Sequence, residues 1–163
     1  MKIVLLAVSA AALVLPAARA ADPQELKEGL WQIHTQTTDN PGGKKSEGTY
    51  SLCRDHAYDN AVRARAKQVK GCTVTDESLT GGKYSAESHC VVAGTTIDTK
   101  STTTSQGDTA FHSESHSTYS PAMYGVNEST MVMEQKYVGS CPAGAKPGDR
   151  VNADGTVMHG RGK

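Results

Sequence analysis

The chain has 163 residues, with 17 basic and 17 acidic side chains. Its mean hydropathy is −0.47. That balance carries no electrostatic footprint for nucleic acid or for an anionic membrane surface, and the length suits one domain. A single Trp and a single Phe leave any core short of large side chains, while the near-zero net charge argues against the disorder that such a composition otherwise signals.

The first residues read as a secretory signal peptide. Lys2 precedes an apolar run from Ile3 to Leu15, and Ala18-Arg19-Ala20 supplies small residues at both cleavage-specifying positions. The run is too short for a comfortable transmembrane helix. Cleavage after Ala20 would release a chain beginning at Ala21 that has no transmembrane segment. The expected place of residence is the periplasm or the exterior.

Three parts follow from this reading: the signal peptide over 1–20, a single β-rich domain over 21–141, and a flexible tail over 142–163. Gly29 to Thr38 opens the domain as a strand, with Trp31, Ile33, Thr35 and Thr37 on one face of a period-2 pattern. The turn residues Asp39 to Lys45 join it to a second strand at Glu47 to Cys53. Asp55 to Lys70 is the one helix. Asp55 is its N-cap, Asp59 lies in its early turns, Lys67 and Lys70 lie near its end, and Gly71 stops it. Its Arg63 and Arg65 read as a solvated face.

From Cys72 onward the pattern is strands: Thr73 to Thr80, Lys83 to Val92, Thr95 to Thr104, Thr109 to Tyr119 and Asn127 to Val138, parted by Gly-rich turns. The expected fold class is all-β: an antiparallel meander of about seven strands, forming a strongly curved sheet or a partly open barrel, with one short helix inserted between the second and third strands. The tail beyond Cys141 is rich in Gly, Pro and charge, and a mobile segment is expected there.

The four cysteines, Cys53, Cys72, Cys90 and Cys141, are an even number in an exported chain, and they read as disulfides that staple a weak core. Their spacing fits no zinc pattern and includes no C-x-x-C. Of the three pairings, Cys53–Cys72 with Cys90–Cys141 is favoured, because the first would clip both ends of the helix to the sheet.

Gly29-Leu30-Trp31 after a signal peptide, Leu52-Cys53 before the helix, Gly71-Cys72 after it, the strand carrying Cys90, and Gly139-Ser140-Cys141 at the end of the last strand resemble the DUF3617 family. The resemblance covers about Lys27 to Gly148. It implies a periplasmic or secreted β-rich domain and brings no activity or catalytic residue with it.

Two constellations bear on chemistry. His112, Glu114 and His116 project from one face of a strand, about 7 Å apart for neighbours two residues along, so two imidazoles and a carboxylate could take zinc or copper. Met123, Met131 and Met133 are soft donors suited to monovalent copper, although methionines alternating along a strand also serve as core filler. No G-x-S-x-G or other nucleophile–base pair gives hydrolysis a foothold, and no cofactor is implied. The reading is therefore a non-enzymatic binding or envelope-associated module, with metal binding as the alternative. The face carrying Trp31, Ile33, Phe111, Tyr119, Met131, Met133 and Tyr137 would hold a small apolar or amphipathic ligand, if it is not filled as core. An envelope protein is the other partner considered.

Overall fold

The computed structural model describes residues 25–160. The signal peptide expected over residues 1–20 and the last three residues of the chain lie outside the described residues. Strands β1 (Gly29–Asn40) and β2 (Lys44–Arg54) form a long hairpin in which Asp39 stands opposite Lys44. Gly42 and Gly43 turn it with φ of 103° and 63°, a region where a β-carbon is disfavoured. Helix α1 (His56–Ala66) follows, then β3 (Cys72–Thr80), β4 (Lys83–Val92), β5 (Thr95–Gln106), β6 (Ala110–Met123) and β7 (Val126–Gly139). Among the described residues the fold is all-β with one short helix, inserted where the sequence predicts it.

Asp55 caps α1: its Oδ1 accepts from the Tyr58 backbone N–H at 2.6 Å. The helix stops at Ala66 rather than Lys70. Helices in proteins persist where an apolar face is packed, and beyond Ala66 the one apolar residue, Val69, is half exposed.

All strands join one antiparallel sheet in the order β3-β4-β5-β6-β7-β1-β2-β8-β9, where β8 is Arg150–Val151 and β9 is Val157–Met158. The meander runs from β3 to β7, and β7 then pairs with β1, so the last long strand closes against the first. The ends of that order, β3 and β9, are not joined, and the sheet is open.

This order corrects the favoured disulfide pairing. The bonds are Cys53–Cys141 and Cys72–Cys90. Helix α1 is a crossover, not a local loop: it carries the chain from β2 to β3, which are six positions apart in the sheet, on the order of 30 Å along it at ~4.8 Å per strand. A disulfide requires Cα atoms within about 7 Å, so Cys53 cannot reach Cys72. Cys72 instead lies directly opposite Cys90 in the β3–β4 ladder. Cys141 follows the end of β7, beside the β1–β2 hairpin that carries Cys53, with the two Cα atoms 5.6 Å apart.

Where a flexible tail is expected, residues 142–160 fold onto the sheet. β8 pairs with β2 at Ser51 and Leu52. The Cys53 N–H bonds to the Asp149 carbonyl, and the Gly148 N–H to the Cys53 carbonyl. The buried Asp149 carboxylate gathers the Lys146 and Gly160 N–H groups and the His159 ring. The backbone bond from Lys146, then the contact with His159, hold that carboxyl below the usual carboxylate range. A Gly- and Pro-rich composition is ordered here by one carboxylate and an unpaired strand edge.

Candidate functional site

The ladder register assigns each strand residue to one of two faces. Trp31 stands opposite Leu52 and Tyr137, Ile33 opposite Tyr50 and Gln135, and Thr35 opposite Met133. Gln135 faces Phe111, Met133 faces Ser113, and Met131 faces Ser115. Ile97 faces Tyr119. All seven residues expected to share a face (Trp31, Ile33, Phe111, Tyr119, Met131, Met133 and Tyr137) therefore do so. We call it the inner face, because α1 lies over part of it.

At one end of the inner face the core is filled. Trp31 is 0% exposed and Ile33 3%. The Phe111 and Tyr137 rings lie 5.8 and 6.2 Å from the indole, and Trp31 Nε1 donates to the Lys27 carbonyl at 2.8 Å. Over this cluster lies a residue the sequence reading passed over, Arg54. Its guanidinium carbon sits 5.1 Å from the Trp31 ring and 5.7 Å from that of Phe111. Its Nε donates to Asp59 Oδ1 at 2.9 Å and its Nη1 to Gln135 Oε1 at 2.7 Å. The side chains of Arg54 and Asp59 are only 12% and 8% exposed. The signal was present: Tyr50, Leu52 and Arg54 continue one face of β2. Asp59, read as a charge for the helix dipole, is instead the tie between α1 and the sheet.

Beside this ion pair, between α1 and the sheet, is a cavity of about 210 Å³ lined by Ile33, Leu52, Tyr58, Val62 and Met133 together with Arg54, Asp59 and Arg63. Its floor is β2, β1 and β7, and its roof is the helix. The far end of α1 is held to β3, where Lys67 pairs with Glu77 at 3.4 Å and the Tyr84 hydroxyl donates to the same carboxylate at 2.6 Å. Burial, then that hydrogen bond, push the Tyr84 phenol up to about 12.

Away from the helix the middle of the inner face, on β5 and β6, is hydroxyl-lined, and at its hairpin end Asp39 stands opposite Lys44 on the same face. Thr99 bonds Ser117 at 2.8 Å and Thr103 bonds Ser113 at 2.7 Å. The inward residues Ser101, Ser113, Ser115 and Ser117 are half-buried while their outward neighbours Lys100, Glu114, His116 and Thr118 are exposed. At the hairpin end a larger cleft of about 500 Å³ is bordered by Asp39, Lys44, Tyr119, Met123 and Tyr124, and Tyr124 is 99% exposed.

The expected metal residues lie on the opposite, outer face. There each imidazole is engaged by carboxylates: His112 by Glu114 (2.9 Å) and by Glu134, His116 by Glu128 at 2.6 Å. Glu114 first, then Glu134, push the His112 imidazole above its ordinary value. The two carboxylates sit on different ring nitrogens of His112, so they do not converge with it on one point. Among the described residues no group of three or more His, Cys, Asp or Glu side chains is placed to hold a metal ion. Met133 lines the cavity under α1 and Met123 the hairpin cleft, so these two thioethers border different hollows, and Met131 lines neither. No helix among the described residues is long and apolar enough to cross a membrane.

The family model described as a protein of unknown function (DUF3617) matches residues 26–141. That span is more than half of the chain, and the chain belongs to this family. No curated protein matches it.

Proposed function

We propose that this member of the DUF3617 family is an exported, non-enzymatic binding domain that takes an apolar or amphipathic small molecule between α1 and the inner face of its sheet. One observation carries the reading. The cavity under α1 offers apolar side chains (Ile33, Leu52, Val62 and Met133) at the head of a sheet face whose middle is lined by half-buried hydroxyls rather than large apolar side chains. A filled core has no need of such a face. Ligand sites are typically clefts of about 300–1,000 Å³ with a few placed polar groups, so about 210 Å³ takes only part of a ligand, and the rest would lie along β6 and β7 over Met131 and Ser115.

Two disulfides in the fold fit an oxidising compartment, which supports the periplasmic or secreted location expected from residues 1–20. Native mass spectrometry of protein purified from the periplasm, without added metal or detergent, tests the reading. The expected result is a chain beginning at Ala21 that carries an extra organic mass, lost on denaturation. A bare monomer would overturn the ligand reading and point to an envelope protein as partner, and a retained metal mass would favour the outer-face histidines. Tryptophan emission is a poor reporter here, because Trp31 is sealed beneath Arg54.

A further inference from the structure

We infer that the occupant of this cavity is an anionic amphiphile, an acyl chain ending in a carboxylate or phosphate, with its head group among Arg54, Arg63 and Arg150. The inference rests on the binding role proposed above and adds the charge of the ligand. Arg54 and Arg63 line the cavity directly. Arg150 stands opposite Leu52 in the β2–β8 ladder, and its guanidinium lies 4.4 Å from the centre of the Tyr50 ring, which lines the same cavity. The one carboxylate in the lining is Asp59, and it is committed to Arg54. Arg63 donates to the amide oxygen of Asn60 at 2.6 Å. Among the described residues neither Arg63 nor Arg150 takes part in an ion pair.

With Arg54 spent on Asp59, Arg63 in the lining and Arg150 behind Tyr50 leave an excess of positive charge beside the apolar side chains of the hollow. Such an excess favours an anion, and the planar fork of Arg suits the paired oxygens of a carboxylate or phosphate. A cationic head would meet only repulsion there. The apolar lining requires a chain attached to that anion. Met133 on β7 borders the hollow, and Met131 and Ser115 follow it on the same face, which gives the chain a path along β6 and β7.

The test is calorimetric titration of the full mature chain, disulfides intact, with four probes sharing a ten-carbon chain: decanoate, decyl phosphate, a decyl maltoside and decyltrimethylammonium. The expected result is that both anions bind at least about tenfold more tightly than the neutral probe, as one added charge-assisted hydrogen bond implies, and that the cation binds most weakly. The double variant Arg63→Gln/Arg150→Gln leaves the buried Arg54–Asp59 pair in place and should erase the anion preference while leaving the neutral probe unchanged. The stronger of the two anions distinguishes a fatty acid from a phospholipid source. Equal binding of all four probes would overturn the charge inference and leave the binding role standing. Binding of none would overturn both. A preference for anions that survives the double variant would also refute the assignment of the head group.

Discussion

Removing Arg54 tests whether the ion pair under α1 holds the helix to the sheet. In Arg54→Leu, Asp59, whose side chain is 8% exposed in the native fold, loses its one charged partner among the described residues, Gln135 loses the Nη1 donor at 2.7 Å, and the cation leaves the Trp31 and Phe111 rings. Breaking a buried pair from one side costs about 3–5 kcal/mol, because the remaining charge is left without compensation. An exposed pair would cost about 0–1 kcal/mol. For a domain of this size the larger figure lowers the melting temperature by about 6–20 °C. The double variant Arg54→Leu/Asp59→Leu removes both charges and should recover most of the loss, since apolar replacement of a buried pair is often neutral. Denaturant unfolding of the wild type, both single variants and the double variant, disulfides intact, gives the coupling energy, and tryptophan emission reports how the surroundings of the Trp31 indole change once the guanidinium over it is gone. A cost below about 1 kcal/mol for Arg54→Leu, with unchanged emission, would refute the reasoning and make the pair a surface contact.

Peptide mapping of a non-reduced digest should recover Cys53 linked to Cys141 and Cys72 linked to Cys90. The first bond spans a separation of 88 residues and the second 18, so in the chain-entropy model removing them costs about 4.5 and about 3 kcal/mol; a reversed order in thermal melts of the two double-Ser variants would argue against that model here. Gly29→Ala should destabilise by about 1–3 kcal/mol in the same melts. Its φ is +138°, and a β-carbon would come within 2.5 Å of the Gly139 carbonyl oxygen and 2.8 Å of the Tyr137 ring. His112 should titrate above the ordinary imidazole value of 6.5 by NMR, because Glu114 and Glu134 favour its protonated form. The stabilisation it contributes is then fully present below pH 6.5 and is lost as pH rises through the raised value; Glu114→Gln should return its titration toward 6.5, and an unmoved titration would show that Glu114 is not the cause.

The parts of this molecule legible in its sequence are those that period and turn chemistry control. Alternation places Trp31, Ile33, Phe111, Tyr119, Met131, Met133 and Tyr137 on one face, and the register agrees at every strand. The Asp39–Lys45 turn and the Asp55 cap are short-range signals, and they fall where they are expected. Long-range order is different in kind. Nothing local in Asp55 to Gly71 states that the helix carries the chain from β2 to the far edge of the sheet, and the cysteine pairing depends on that one fact. The same crossover accounts for the charge that pattern reading misplaces. Arg54 lies at the end of β2 and Asp59 in the first turn of α1, so each alone reads as a surface charge, and only the docking of the helix over Trp31 turns them into a buried pair. The ordering of residues 142–160 follows the same logic. The edge of β2 is left unpaired by the sheet, and a strand edge of that kind is a template for whatever segment can reach it. Cys141 brings the C-terminal segment within reach through its bond to Cys53 in β2, and the Asp149 carboxylate then fixes it by accepting from groups on both sides. One crossover thus decides the disulfides, the buried charge and the tail together, which is why a sequence read in local windows places the strands and their faces but not the connections among them.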